Sequence, residues 1–230
     1  MIHKHGFTLA EVLITIGIIG VVAAITIPSL ISAYQKRSTE SRLKQAYSVL
    51  MNAQRMSTTD PDFNYTPPET YTAEALYTND KYRIFKSYFV PYLQGVTTFE
   101  KTKAPWVAKT PEGKETFAAN FGALGGYCIN NGMCFRMLSH GTNYYYIVVD
   151  LNGPSRPNVV GKDVFYFALH FTDNGITIDG KVYGVSQNTT EAQLRQNCLH
   201  NESTWSSGAT CTELIIRNGW KIPNDYPIKF

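Results

Sequence analysis

The sequence predicts an α+β fold, in which a long N-terminal helix packs on an antiparallel β-sheet head. Three observations indicate it. Residues 12–35 form an uncharged and mostly apolar run. Apolar side chains then recur at helical spacing from Leu43 to Ala53. From about Thr116 onwards the periodicity becomes that of β-strands.

The composition of the 230 residues limits the kinds of protein that the chain can be. Hydrophobic residues make up 43% and charged residues 17%, so the chain can bury a core and is not a disordered segment. The aromatic share of 13% is typical of a β-rich head. A net charge of +3 is too small to indicate a nucleic-acid partner.

The first predicted element is the apolar run. As a helix, residues 12–35 would be about 36 Å long at ~1.5 Å per residue, which exceeds a hydrocarbon core of about 30 Å. The run therefore predicts a transmembrane segment. Glu11 lies at its start and Pro28 inside it. Carboxylates in such segments usually have a function, and a proline favours a kink.

The same helix is predicted to continue as an amphipathic second half. Its apolar stripe consists of Leu43, Ala46, Tyr47, Leu50 and Ala53. Because no strong stop signal separates the stripe from the apolar run, we expect one helix over 7–58. The stripe is too short for a coiled coil, so it should pack on the head.

A compact motif marks the start of this helix: Gly6-Phe7-Thr8-Leu9, followed by Glu11. Together with the apolar run and Pro28, the motif resembles the precursor N-terminus of type IV pilins and type II secretion pseudopilins. The resemblance covers residues 1–58, about a quarter of the chain. It implies a leader over 1–6, and a transmembrane and assembly segment over 7–31.

The resemblance also implies how the chain is processed and assembled. A membrane-embedded prepilin peptidase would cut after Gly6 and methylate the new N-terminal residue, Phe7. Glu11 would then meet the positive N-terminus of a neighbouring subunit, which neutralises two otherwise unpaired charges in a dry filament core. The implied partners are the peptidase, other pilin-like subunits, the inner-membrane assembly platform and membrane lipid.

The implied function is that of a structural subunit and not of an enzyme. The chain would be a minor pilin or pseudopilin of a type IV pilus, or of a type II secretion or competence filament. It would sit in the inner membrane with its head outside the cytoplasm before it enters a periplasmic or cell-surface filament.

Two alternative interpretations stay open from the sequence. Glu11 could be only a helix-start carboxylate that the helix dipole favours. An ordinary signal peptidase could instead cut near Ile31 and release a head that begins at Tyr34. That outcome is expected of a secreted or membrane-anchored enzyme or binding module. The mature N-terminus distinguishes the two classes.

The head is predicted to span residues 59–230. A loop over 59–72 should lead into a short helix over 73–90, and two further short helices are expected near 191–199 and 211–218. Between them we expect a meander of about four to six antiparallel strands. The strand-forming segments are 127–135 around the hairpin dipeptide Asn131-Gly132, 144–151, 164–171 and 176–183.

The four cysteines are expected to form two disulfides. Cys128 and Cys134 flank the Asn-Gly turn, where a bridge across the hairpin is geometrically allowed. Cys198 and Cys211 bracket a polar loop that a bridge would close. A four-thiolate zinc site is the alternative, but these spacings do not match the short paired spacings of zinc ligands.

Signatures of metal binding and catalysis are weak. Asp150, Asn152 and Asp163 belong to a turn-rich stretch that could supply oxygen ligands to Ca²⁺, and some pseudopilins carry calcium in a comparable loop. The EF-hand pattern fails at Pro154, and Asx residues form such turns without a metal. The sequence has no nucleophile elbow, phosphate loop or His-Glu-x-x-His motif, so no catalytic residue and no further cofactor is predicted.

Overall fold

The structure, a computed structural model, describes residues 6, 8–62, 85–99, 106–120, 126–139, 144–172, 175–179, 189–199 and 209–230. The chain divides into two compact units. One is Met1–Ser38 with Phe230, and it contains the apolar run. The other is Thr39–Lys229, and it contains the head together with the polar half of the long helix.

Helix α1 extends from Leu9 to Thr59, close to the predicted limits. Pro28 lies inside the helix without ending it. In the first unit every Val, Leu and Ile side chain from Leu9 to Ile31 is at least 40% exposed. The helix is long and apolar enough to cross a membrane. Both properties are expected of a segment that is surrounded by lipid or by other subunits.

The second half of α1 contributes to the core of the head. Leu43, Ala46, Leu50 and Ala53 are all buried, which confirms the predicted stripe. The remaining member, Tyr47, is half-buried between aromatic rings. Its ring centroid lies 5.6 Å from that of Phe167 and 4.9 Å from that of Trp220.

The described residues form eight strands, in chain order: β1 (Thr97–Phe99), β2 (Val107–Lys109), β3 (Glu115–Asn120), β4 (Gly126–Cys128), β5 (Cys134–Ser139), β6 (Tyr144–Asp150), β7 (Val164–Thr172) and β8 (Gly175–Asp179). Six of them form an antiparallel sheet in the order β1-β4-β5-β6-β7-β8. The predicted meander is therefore confirmed. Strands β2 and β3 form a separate two-stranded sheet, which the sequence pattern did not predict.

Both faces of the six-stranded sheet are covered at its centre. All side chains from Val164 to Leu169 on β7 are fully buried, although successive side chains of a strand point to opposite faces. On one face Phe167 contacts Tyr47 of α1. On the other face Tyr166 belongs to a cluster that includes Trp106, the residue directly before β2.

Two short helices, α2 (Glu191–Leu199) and α3 (Ala209–Arg217), confirm the predicted C-terminal pair. Helix α3 ends at Arg217 and is followed by the expected Asn218-Gly219 stop, where the φ of 69° at Gly219 is the left-handed conformation that glycine tolerates. The helix predicted over 73–90 lies largely outside the described residues, and residues 85–88 of it are helical. The second strand of the hairpin predicted over 176–183 also lies outside the described residues.

Helix α3 also forms a buried hydrogen bond with β7. Among the described residues, β8 pairs with β7 from Ala168 to Thr172. In the other half of β7, the backbone N–H of Tyr166 donates to Thr212 Oγ1 of α3 at 3.1 Å. A buried hydroxyl therefore supplies the hydrogen bond that a neighbouring strand would supply elsewhere.

Candidate processing and assembly segment

The start of α1 is a reciprocal hydrogen-bonded cap between Thr8 and Glu11. Glu11 Oε2 accepts from the Thr8 backbone N–H at 2.8 Å and from Thr8 Oγ1 at 2.9 Å. Thr8 Oγ1 in turn accepts from the Glu11 N–H at 3.2 Å. This arrangement is a capping box, which satisfies N–H groups that the first turn of a helix leaves without partners.

The capping box occupies only one oxygen of the Glu11 carboxylate. Among the described residues, no donor bonds to Oε1. Gly6 is exposed just before the helix, with no atom within 4 Å of where a Cβ would stand. Phe7 lies outside the described residues.

Thr8 is the functional residue that sequence reasoning missed. Ser or Thr followed three residues later by Glu is the signature of a capping box. The pattern Thr8-Leu9-Ala10-Glu11 would have predicted it.

Comparison with known protein families gives one match in each part of the chain. Residues 1–27 match the prokaryotic N-terminal methylation motif, which is the signature of type IV pilins and pseudopilins. Residues 29–230 match a family described as a family of unknown function, DUF6613. The chain belongs to this family. No curated protein and no solved structure matches it.

The DUF6613 region is crosslinked by two disulfides, in the pairs expected from the sequence. Cys128–Cys134 joins the ends of β4 and β5 across the Asn-Gly turn, with a Cα–Cα distance of 4.0 Å. Cys198–Cys211 joins α2 to α3, with a Cα–Cα distance of 4.9 Å. All four cysteines of the chain are therefore paired, and no free thiol remains.

Both disulfides border the long loop between β6 and β7. A Cβ added at Gly153 would lie 3.1 Å from Cys134 Sγ, and one added at Gly161 would lie 2.7 Å from Cys211 Sγ. The loop backbone therefore lies close to each bridge, and the positive φ of both residues, 62° at Gly153 and 80° at Gly161, favours glycine there.

Two of the three predicted calcium ligands, Asp150 and Asp163, form a buried carboxylate pair at the ends of this loop. Trp106 Nε1 donates to Asp150 Oδ2 at 2.9 Å, and the Asn152 N–H donates to Asp150 Oδ1 at 3.2 Å. Burial raises the pKa of Asp150 well above its usual value, and the neighbouring charge of Asp163 raises it further.

Asp163 is bound by backbone donors of the same loop. Its Oδ1 accepts from the Val159 N–H at 2.6 Å and its Oδ2 from the Asn158 N–H at 2.8 Å. Burial raises the pKa of Asp163 as well, although these backbone hydrogen bonds oppose the shift.

The structure thus brings Asp150, Asn152 and Asp163 together, but every carboxylate oxygen of the pair already accepts an N–H hydrogen bond. Among the described residues, no group of three or more His, Cys, Asp or Glu side chains is placed to hold a metal ion. A calcium site at this loop stays a prediction.

Proposed function

We propose that this DUF6613 member is a structural, pilin-like subunit, either a minor pilin or a pseudopilin. It would assemble into a type IV pilus, or into a type II secretion or competence filament. The observation that supports this most is the methylation motif over 1–27 at the start of a helix whose first half exposes apolar side chains all round. Such a surface requires lipid or neighbouring subunits to cover it.

Processing by a prepilin peptidase would begin the assembly. The peptidase would cut after Gly6 and methylate Phe7, releasing the leader over 1–6. The exposed position of Gly6 before the helix is compatible with access by an enzyme. The precursor would be anchored in the inner membrane with its head outside the cytoplasm, and the inner-membrane assembly platform would then insert it into the filament.

In the filament, Glu11 would pair with the ammonium of Phe7 on a neighbouring subunit. The capping box supports separate roles for the two carboxylate oxygens. Oε2 stabilises the first turn of its own helix through Thr8, while Oε1 stays available to the neighbour. The pair would be buried among apolar side chains, where an unpaired charge is costly.

The head would then be a structural part of the filament, without catalysis of its own. Its described residues contain a packed sheet, two disulfides and a carboxylate pair whose oxygens bind N–H groups of the fold. These features serve stability outside a reducing compartment.

The mature N-terminus tests the proposal directly. The full chain is expressed in its native host, and the terminus is identified by mass spectrometry of membrane and sheared-filament fractions. We expect methylated Phe7. An intact Met1, or a chain that begins at Tyr34, would contradict the proposal and support an anchored or secreted enzyme or binding module.

A set of variants at the helix start separates pairing from capping. Glu11→Gln keeps an acceptor for the capping box but removes the charge, whereas Glu11→Ala removes both. We expect both variants to be processed after Gly6 and both to be depleted from sheared filaments. Thr8→Ala, which keeps the charge, should assemble better than either. If Glu11→Gln assembled as the wild type does, Glu11 would act only as a cap.

A further inference from the structure

Helix α1 changes character directly after the apolar run. Tyr34 is 72% exposed, and Lys36 and Arg37 follow it within one turn. Neither of these two basic side chains forms an ion pair or hydrogen bond with another described residue. All three residues belong to the unit that contains the apolar run.

The charged residues that come next along α1 are engaged with the head. Arg42 Nη2 donates to the Asn131 carbonyl at 2.9 Å. Glu40 accepts from Lys221 Nζ and from the Ile222 N–H, each at 2.9 Å. Within the part of the chain that the structure describes, Lys36 and Arg37 therefore differ from Glu40 and Arg42 in having no such partner.

The length of the apolar run places these charges at a defined depth. At ~1.5 Å per residue, the segment from Val12 to Ile31 spans about 30 Å, which equals the thickness of a hydrocarbon core. Tyr34 then lies about 4.5 Å beyond that core, and Lys36 and Arg37 about 7.5 Å and 9 Å beyond it. A headgroup layer is roughly 5–8 Å thick.

We propose that Lys36 and Arg37 bind the headgroup phosphates of anionic phospholipids at the membrane surface where the apolar run ends. The inference rests on the membrane-anchored stage of the proposed function, and it does not depend on filament assembly. Tyr34 marks the interface, where aromatic side chains with a polar tip are favoured.

The chemistry of the two side chains suits this partner. The guanidinium of Arg37 can hold a phosphate through two parallel N–H bonds, and the ammonium of Lys36 contributes a point charge. Their aliphatic stems allow both charges to reach back towards the headgroups. Tyr34 and Arg37, three residues apart, lie on one face of the helix.

Headgroup binding would also fix the position of the other end of the segment. With Lys36 and Arg37 held at one surface, the same register places Glu11 at the opposite edge of the hydrocarbon core. Its carboxylate would then stay near water until a neighbouring Phe7 ammonium replaces that water. The membrane-resident subunit would avoid a buried, unpaired charge.

Lys44 provides a matched control on the same helix. It is exposed and, like Lys36 and Arg37, its side chain bonds to no described residue. It lies about 20 Å beyond Ile31, which is more than a Debye length of ~8 Å above the headgroups. Lys44→Gln removes the same charge as Lys36→Gln without touching the proposed contact.

The test measures which lipid the inserted full-length chain prefers. A Leu30→Trp reporter on the exposed face of the segment is quenched by brominated acyl chains in vesicles of phosphatidylcholine and phosphatidylglycerol. Subtracting the signal of the chain without the reporter removes the native tryptophans. The ratio of quenching by brominated phosphatidylglycerol and brominated phosphatidylcholine gives the relative association constant.

We expect a preference for phosphatidylglycerol that falls about fivefold in Lys36→Gln and again in Arg37→Gln, and that weakens in high salt. Lys44→Gln should leave it unchanged. An unchanged preference in the double variant, or an equal loss in Lys44→Gln, would overturn the inference. If neither brominated lipid quenched the reporter, the segment would not insert, and the membrane anchor itself would be overturned.

Discussion

The hydrogen bond from the Tyr166 N–H to Thr212 gives the sharpest test of how the head is held together. Thr212 is fully buried, and its hydroxyl accepts from the Tyr166 N–H, which pairs with no described residue of β8. Thr212→Val keeps nearly the same shape but removes the acceptor. The Tyr166 N–H would then be buried without its partner.

Leaving a buried donor unpaired costs about 1–3 kcal/mol of unfolding free energy. For a domain of this size, each kcal/mol lowers the melting temperature by roughly 2–4 °C, so Thr212→Val should lower it by about 2–12 °C. Thr210, on the same helix, is also buried, but its Oγ1 has no hydrogen-bond partner. Thr210→Val should therefore be neutral or stabilising, since it removes an unsatisfied buried hydroxyl.

The measurement uses the fragment 35–230, which we expect to be soluble and to unfold cooperatively because it keeps the stripe of α1 and all eight strands. Urea denaturation gives the free energy of unfolding of each variant, and hydrogen exchange at the Tyr166 amide reports the bond itself. The helix propensity of valine affects both variants alike. Equal stability changes in Thr212→Val and Thr210→Val would refute the role assigned to this bond.

Two further predictions concern the crosslinks and the carboxylate pair. Replacing Cys198 and Cys211 by alanine should lower the free energy of unfolding, measured in urea, by about 3 kcal/mol. The same replacement of Cys128 and Cys134 should lower it by about 2 kcal/mol, because the Cys128–Cys134 bridge closes a shorter loop. Equal losses would contradict the loop-closure argument. Because folding raises the pKa values of Asp150 and Asp163, protonation of the pair stabilises the fold. This contribution to the unfolding free energy is fully present below about pH 4, the pKa of an unfolded aspartate, and is lost as the pH rises through the folded-state pKa values. Between about pH 4 and pH 7, the wild type should therefore lose more stability than Asp163→Asn, and parallel pH profiles would exclude this linkage.

Most of the regular structure was predictable because local patterns encode it. The helical spacing from Leu43 to Ala53 predicts a helix, and the Asn131-Gly132 turn predicts a hairpin, each from a few neighbouring residues. The cysteine pairs followed from the same turn and from the loop between α2 and α3. Such signals need no knowledge of distant parts of the chain.

The features that sequence reasoning missed depend on contacts between distant residues. Strand β1 is only three residues long, and its pairing with β4 decides its conformation more than its own composition does. The Trp106–Asp150 hydrogen bond joins residues 44 positions apart. No spacing pattern in the sequence predicts such a bond, because Trp106 and Asp150 could each form many other contacts.

The bond between Glu40 and the segment at Lys221 has a consequence for the timing of biogenesis. Glu40 and Lys221 are 181 residues apart, so Glu40 cannot meet this partner until nearly the whole chain has been made. At ~5–20 residues per second, that interval is roughly 10–35 s. The apolar run, by contrast, leaves the ribosome early and can insert into a membrane at once. During this interval the strands that bury the stripe of α1 are not yet complete, so its apolar side chains are exposed in the partly translated chain.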